Sequence, residues 1–346
     1  MNFDFTDDQR SIKRTANEFL AARFTPDRRR ELAETGDYDE EIWKEMSELG
    51  WPGIFLSEEQ GGQELGTTEL AILSEELGYA LAPSPFLSNA AAGLLIEHAG
   101  SDEQKERLLG GVASGEALGA VGIDPNGVKI MSVPTPLAAP LVPDAAAASF
   151  VVLVWGDRAF LAERVEAEPV DTIDSTRRYA RVKAVAGEEL PGHVRAGLDR
   201  VSVLLAAELT GVAQRAMEMA VEYAREREQF GRPIGAYQAV AHRCAEMLLE
   251  TESARATMLF AAYAADHEPE SLPLAAATAK SCASDAGWKV TASSLQVHGG
   301  IGFTWEHDLH FFLKRAKADA HLYGSAREHR DRVADLLQLS AASPGG

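Results

Sequence analysis

Apolar residues recur every three to four positions along most of the first 115 residues, the period of an amphipathic helix. In "TDDQRSIKRTANEFLAARF" this spacing predicts a helix with Thr6 as its N-cap. "DEEIWKEMSELG" predicts a second, stopped at Gly50. "WPGIFLSEEQGGQELG" is a loop of turn formers. "TTELAILSEELGYAL" and "SNAAAGLLIEHAG" predict two further helices, and "SDEQKERLLGGVASG" opens another at Ser101. Residues 1–115 therefore read as an N-terminal α-helical domain.

The period changes at residue 116. Pro125, Pro134, Pro136, Pro140 and Pro143 exclude a regular helix. "SFVVLVW", "GDRAFLAE" and "ARVKAVA" predict short strands joined by turns. Residues 116–192 form a small β domain on this reading. From 193 to 340 the helical period returns. "DRVSVLLAAELTGVAQRAMEMAVEYAREREQF" and "AYQAVAHRCAEMLLETESARATMLFAAYAADH" predict two long helices. Pro269 and Pro273 mark the turn before a third, "AAATAKSCASDAGWKVTASSLQVHG", and a single tail helix is expected from "FTWEHD" to Leu339. Residues 341–346 have the composition of a disordered tail. The fold class expected is mainly α with a small β domain.

Composition narrows the function classes. The 346 residues are 46% hydrophobic and 25% charged, enough for a large core in two or three domains. No run of about 18 apolar residues predicts a membrane span. The N-terminus lacks the basic-then-apolar order of a signal peptide. Cys244 and Cys282 are too few for a disulfide framework. A cytoplasmic location is expected. A net charge of -20 argues against general nucleic-acid binding, but a local arginine can still take an anionic ligand.

Two stretches carry candidate chemistry. In "REREQFGRPIGAYQAV" Arg227 lies at the end of a long helix, before Phe230-Gly231 and a rigid turn at Pro233 and Gly235. A guanidinium beside a tight turn can bind a pyrophosphate bidentately, or it can simply complement the helix C-terminus. In "QVHGGIGFTWEHD" Gly299, Gly300 and Gly302 let a ligand approach the backbone, and Gln296 can hydrogen-bond it. The same glycines also suit an ordinary turn between helices. No strand precedes them, so they are not a dinucleotide-binding fingerprint. His307 and His310 stand three apart without a third metal ligand. Tyr237 and Trp305 read as packing aromatics, and Phe311-Phe312 as core or interface.

In this order and spacing, the stretches resemble the acyl-CoA dehydrogenase family over nearly the whole chain. "MNFDFTDDQRSIKRTANEFL" looks like that family's opening helix, and "LGWPGIFLSEEQGGQELGTTELAILSEELGYALAPSPF" like its second segment. The resemblance implies a helical N-terminal domain, a middle β domain and a C-terminal four-helix bundle. It also implies FAD at a subunit interface and oxidation of an acyl-CoA ester to a 2-enoyl-CoA. By resemblance, Arg227, Phe230 and Gln238 contact the flavin cofactor, Gln296, Gly299 and Gly300 contact its ADP half, and both groups serve the neighbouring subunit. The implied electron acceptor is an electron-transfer flavoprotein.

The chain departs from the family where the base belongs. Tyr323 before Gly324-Ser325 takes the position of the family's glutamate. A phenol, with a reference pKa of about 10, is a poor base for an α-carbon proton. The alternative position used in some branches falls at Val201-Ser202, with Asp199 and Glu208 nearby. Asp199 reads as a cap or first-turn carboxylate and Glu208 as a satisfied core glutamate, though either could be recruited as a base. "GIDPNGVKIMSVPTP" lacks the family's flavin-ring loop, with Trp155 a conceivable substitute for its tryptophan strand.

The chain thus keeps what one subunit lends and lacks what it would use itself. It is similar to the shorter, non-catalytic subunit of heterotetrameric α2β2 acyl-CoA dehydrogenases of bacterial steroid degradation. The expected partners are a catalytic subunit and an acyl-CoA ester. Two alternatives stand beside this: a self-sufficient homo-oligomer using Glu208 or Asp199, and a non-enzymatic scaffold or CoA-ester binder.

Overall fold

A computed structural model describes residues 5–124 and 136–341, with side chains through residue 338. The chain folds as two compact units. One comprises residues 27–70 and 83–201, the other residues 1–26, 71–82 and 202–346.

In the first of these, helices α2 (Pro26–Thr35), α3 (Glu40–Glu48), α5 (Phe86–Ala99) and α6 (Asp102–Ser114) accompany seven strands. (Helix α1, Asp7–Arg23, and most of α4, Thr67–Ala80, belong to the other unit.) Asp39 caps α3 by accepting from the Glu41 and Ile42 amides. Ser101 and Gln104 form a reciprocal capping box at α6. Helix α2 has no counterpart in the periodicity reading. Its sequence, "PDRRRELAET", is polar almost throughout and buries only Leu32 and Ala33, so it leaves little amphipathic signal.

The β region is richer than the three strands expected. β1 (Gly119–Ile123), β3 (Phe150–Trp155), β4 (Arg158–Ala162) and β7 (Glu188–Glu189) form one sheet, and β2 (Leu137–Pro143), β6 (Tyr179–Ala184) and β5 (Glu166–Val170) another. β1 runs parallel to β3, and the other pairings are antiparallel. Val151, Leu153 and Phe160 from the first sheet share a core with Leu137, Val142 and Val182 from the second. β2 carries Pro140 and Pro143, which hid it from a pattern reading. The ladder to β6 shifts register between Ala139 and Val142, so the strand accommodates a proline at an irregularity. Most of the stretch "GIDPNGVKIMSVPTP" expected near the flavin ring, residues 125–135, lies outside the described residues, as does the predicted tail from residue 342. Trp155 is buried in the core between the two sheets, so it does not stand in for a flavin-stacking tryptophan.

The other unit is helical. α1 opens at Thr6, the N-cap that its sequence predicts, and Gln9 completes a capping box there. The long helices α7 (Val194–Glu226, whose first turns belong to the first unit), α8 (Gln238–His267) and α9 (Leu272–His298) follow the predicted runs. Between α7 and α8 lies a hairpin of β8 (Glu228–Gln229) and β9 (Arg232–Pro233). The single predicted tail helix is instead two, α10 (Leu309–Asp319) and α11 (Ala326–Ala341). The break falls at Tyr323 and Gly324, whose φ values of 56° and 113° no helix accepts. Glycines bring α4 and α7 into backbone contact. A Cβ at Gly78 would stand 2.1 Å from the Glu208 carbonyl, and one at Gly211 1.9 Å from that of Glu75. No described helix is long and apolar enough to cross a membrane.

Candidate cofactor-lending site

Arg227 follows directly on α7 rather than lying in its last turn. Its amide still closes on the Tyr223 carbonyl at 2.8 Å, and its own carbonyl accepts from the Ile234 amide at 2.8 Å. The backbone is thereby pinned at both ends of the hairpin while the guanidinium side chain is exposed. The two-residue loop, Phe230-Gly231, has positive φ at both positions (53° and 79°), the geometry that matches the twist of a tight hairpin. For glycine this is free; for phenylalanine it is strained. Phe230 is nevertheless 93% exposed.

Behind the loop the hairpin is well supported. Tyr237 donates its hydroxyl to the Gln229 carbonyl at 3.0 Å and packs edge-on to Phe230, and the Arg232 guanidinium lies 4.1 Å from the Tyr237 ring centre. Gln238, the first residue of α8, is exposed.

The second stretch leaves α9 at its C-terminus. Gln296 is exposed on the last turn. Gly299 takes φ +64° and ψ -140°, and nothing lies within 4 Å of where a Cβ would stand on Gly299 or Gly300. Beyond them Phe303 is 69% and Trp305 70% exposed. Trp305 is therefore not the packing aromatic that the sequence suggested. Its neighbours include Lys314, 5.0 Å from the ring centre, and the edges of the buried His310 and Phe311.

Two residues that the sequence reading passed over bring these stretches together. His298 stacks on Tyr223 with ring centres 4.6 Å apart, and His307 packs against His298 at the same distance. His298 Nδ1–H donates to the Ser294 carbonyl at 2.8 Å, and burial holds the ring below its ordinary pKa. A neutral histidine thus joins the end of α7 to the end of α9, and the hairpin and the glycine loop emerge side by side. The available signal was positional: Tyr223 is one helical turn before Arg227, and His298 directly precedes Gly299. No described group of three or more His, Cys, Asp or Glu side chains could hold a metal ion.

The candidate bases are held differently. Glu208 is buried on α7 and accepts from Arg315 Nη1 at 2.6 Å, with Arg315 buried as deeply. Asp199 is the sixth residue of α7 and buried, which places it past the first turn and away from any capping role. Val201 and Ser202 are also buried. Tyr323 sits in the α10–α11 break, its carbonyl 3.3 Å from His329 Nε2.

Comparison with known proteins shows the family. The acyl-CoA dehydrogenase N-terminal domain model matches residues 6–116 and the C-terminal domain model residues 193–338. The chain belongs to the acyl-CoA dehydrogenase family. It is 37% identical to acyl-CoA dehydrogenase IpdE2 of Mycobacterium tuberculosis over 301 residues, 86% of each protein. Among solved structures it resembles the Tcur3481-Tcur3483 steroid ACAD, with a TM-score of 0.87 and 29% identity over 97% of this chain and 99% of that one. It also resembles a chain of the ChsE4-ChsE5 complex from Mycobacterium tuberculosis, with a TM-score of 0.87 and 25% identity over the full length of both. The expected fold class is borne out. Acyl-CoA dehydrogenases are FAD flavoproteins, and a steroid ACAD stands among the solved structures that this chain resembles.

Proposed function

We propose that the chain is the non-catalytic subunit of a hetero-oligomeric, FAD-dependent acyl-CoA dehydrogenase, and that it completes the FAD site of a catalytic partner. The observation that carries this reading is a contrast in exposure between two sets of residues. The cofactor motifs are paired, ordered and open to solvent, while a tyrosine occupies the base position and the nearby carboxylates are buried.

The residues fit a cofactor reached from outside the chain. The open space beyond Gly299 and Gly300 would let a pyrophosphate or ribose meet bare backbone. Arg227 would neutralise the pyrophosphate, Gln296 would hydrogen-bond the ADP half, and Phe230 and Gln238 would cover the flavin end. When bound, FAD supplies the hydride acceptor for the β-carbon of the acyl group. This chain's residues orient the cofactor and shield it from water; proton abstraction at the α-carbon falls to the partner.

The homo-oligomeric reading loses support from Glu208. Glu208 is committed to a buried ion pair with Arg315, and protonating that carboxylate would give up the charge–charge contact, a cost of several kcal/mol. α4 also lies in backbone contact with α7 at Glu208. The partner's acyl-CoA ester is steroid-derived on this reading, because the relatives include a steroid ACAD. An electron-transfer flavoprotein is the acceptor that the family suggests.

The reading is tested by Arg227→Ala in the co-expressed complex. Assembly is expected to persist while flavin content and dehydrogenation fall together. Unchanged flavin content would sink the lending role.

A further inference from the structure

Lys280, on α9, is fully buried. Its Nζ lies 2.9 Å from Ser284 Oγ, 3.1 Å from the Asp319 carbonyl, 3.1 Å from the Gly324 carbonyl and 3.5 Å from that of Ala320. Three N–H groups of an ammonium meet three close acceptors, which completes its donor set. Two of these acceptors bracket the α10–α11 break. Asp319 and Ala320 end α10, where the helix exposes carbonyls and favours a cation. Gly324 is the left-handed residue after Tyr323. A single side chain from a third helix therefore ties both ends of the turn, and His329 closes it from α11 through the Tyr323 carbonyl.

We propose that Lys280 is a proton-dependent clamp on the turn that carries Tyr323, holding the turn as an ammonium and loosening it as an amine. The amine has only two N–H groups, so its bonds to the Asp319 and Gly324 carbonyls become neutral ones, with the Ser284 hydroxyl turning to donate to the lone pair. The charge that favours the end of α10 is lost as well. This inference is independent of the lending role.

The surrounding charges put the transition within reach. Burial pulls Lys280 down to about 7, against Asp319 on α10 and Glu328 on α11, which raise it. The other titratable groups facing the clamp finish elsewhere. His321 in the turn and His329 on α11 both lie below the ordinary histidine value through burial, His329 at about 4. Glu328 is lowered by its bonds to Ser325, so it is ionised throughout the neutral range.

The test is hydrogen–deuterium exchange of the full chain from pH 6 to pH 9, with intrinsic rates divided out. The reporters are the amides of Ala320, His321 and Leu322, which bond to Ala316 and Ala318 at 3.0–3.1 Å. Their protection is expected to fall about tenfold with a midpoint near 7, the loss of one charge-assisted hydrogen bond. The segment Met258–Ala265 in the C-terminal third of α8 should not change. In Lys280→Met the turn amides should be poorly protected at every pH. Flat wild-type protection would overturn the clamp, and so would a fall that Lys280→Met reproduces or that α8 shares. Should Lys280→Met fail to fold, the wild-type profile against the α8 control still decides.

Discussion

Two regions of the helical unit treat their special residues in opposite ways. At the ends of α7 and α9, Arg227, Gln238 and Gln296 reach solvent, and Phe230, Phe303 and Trp305 are exposed although burial would stabilise them. Around α10 and its break, Glu208, Arg315, Lys280 and His329 are buried and bonded to groups of the same chain. The first region is incomplete by itself and the second is closed. A subunit that ran its own chemistry would need an accessible, uncommitted base. On the proposed reading, this one instead offers its exposed residues to another subunit.

The largest effect should come from breaking the closed region. Glu208→Ala or Arg315→Ala breaks the buried ion pair between α7 and α10, at about 3–5 kcal/mol. A denaturant-unfolding series should show it, whereas the double change Glu208→Leu with Arg315→Met should recover most of the loss. If the single changes cost nothing, the pair is not buried as described.

Next comes acid. His329 is buried with its pKa lowered to about 4 by desolvation. The unfolded chain takes up that proton at the ordinary value of about 6.5, so between these pH values the unfolded state binds more protons. Stability is therefore complete above about pH 6.5 and declines on the order of 3 kcal/mol as pH falls toward 4. His329→Gln should flatten this part of the stability profile; an unchanged slope would reassign it to other groups.

In the open region effects should fall on the cofactor rather than on the fold. Arg227→Ala is expected to weaken FAD binding in the complex by ~1.5–3 kcal/mol, the worth of a charge-assisted contact. Its unfolding midpoint should barely move, because the side chain is exposed. The smallest effect is the most diagnostic of the contrast. Phe230→Gly removes a strained positive-φ phenylalanine, so the isolated chain should gain about 1 kcal/mol while its complex with the partner loses flavin. A variant that is both more stable and equally competent would mean that Phe230 serves neither cofactor nor partner.

Much of this contrast could be read from residue order. Thr6 and Ser101 announced their helices as N-caps, and the long runs of α7, α8 and α9 carried an unmistakable period. Arg227, Phe230, Gln238, Gln296, Gly299 and Gly300 were all visible as motif positions. What stayed hidden depended on partners distant in sequence. Glu208 and Arg315 stand 107 residues apart, and Lys280 and Gly324 44 apart, so no local pattern joins them. The tail break was missed because "KADAHLYGSAREHR" keeps helical spacing on both sides of Tyr323. Strand β2 was missed because its prolines outweighed its apolar alternation. Trp305 was misplaced for the converse reason: an aromatic beside a glycine loop usually packs, and here it faces outward.

The central claim is that the chain lends cofactor contacts and does not run the reaction alone. It is tested most directly by the visible spectrum of the purified chain, alone and co-purified with a catalytic acyl-CoA dehydrogenase subunit. The account predicts a colourless protein alone and a yellow complex whose flavin bleaches on adding the acyl-CoA substrate. A yellow protein alone, bleached by an acyl-CoA, would contradict it.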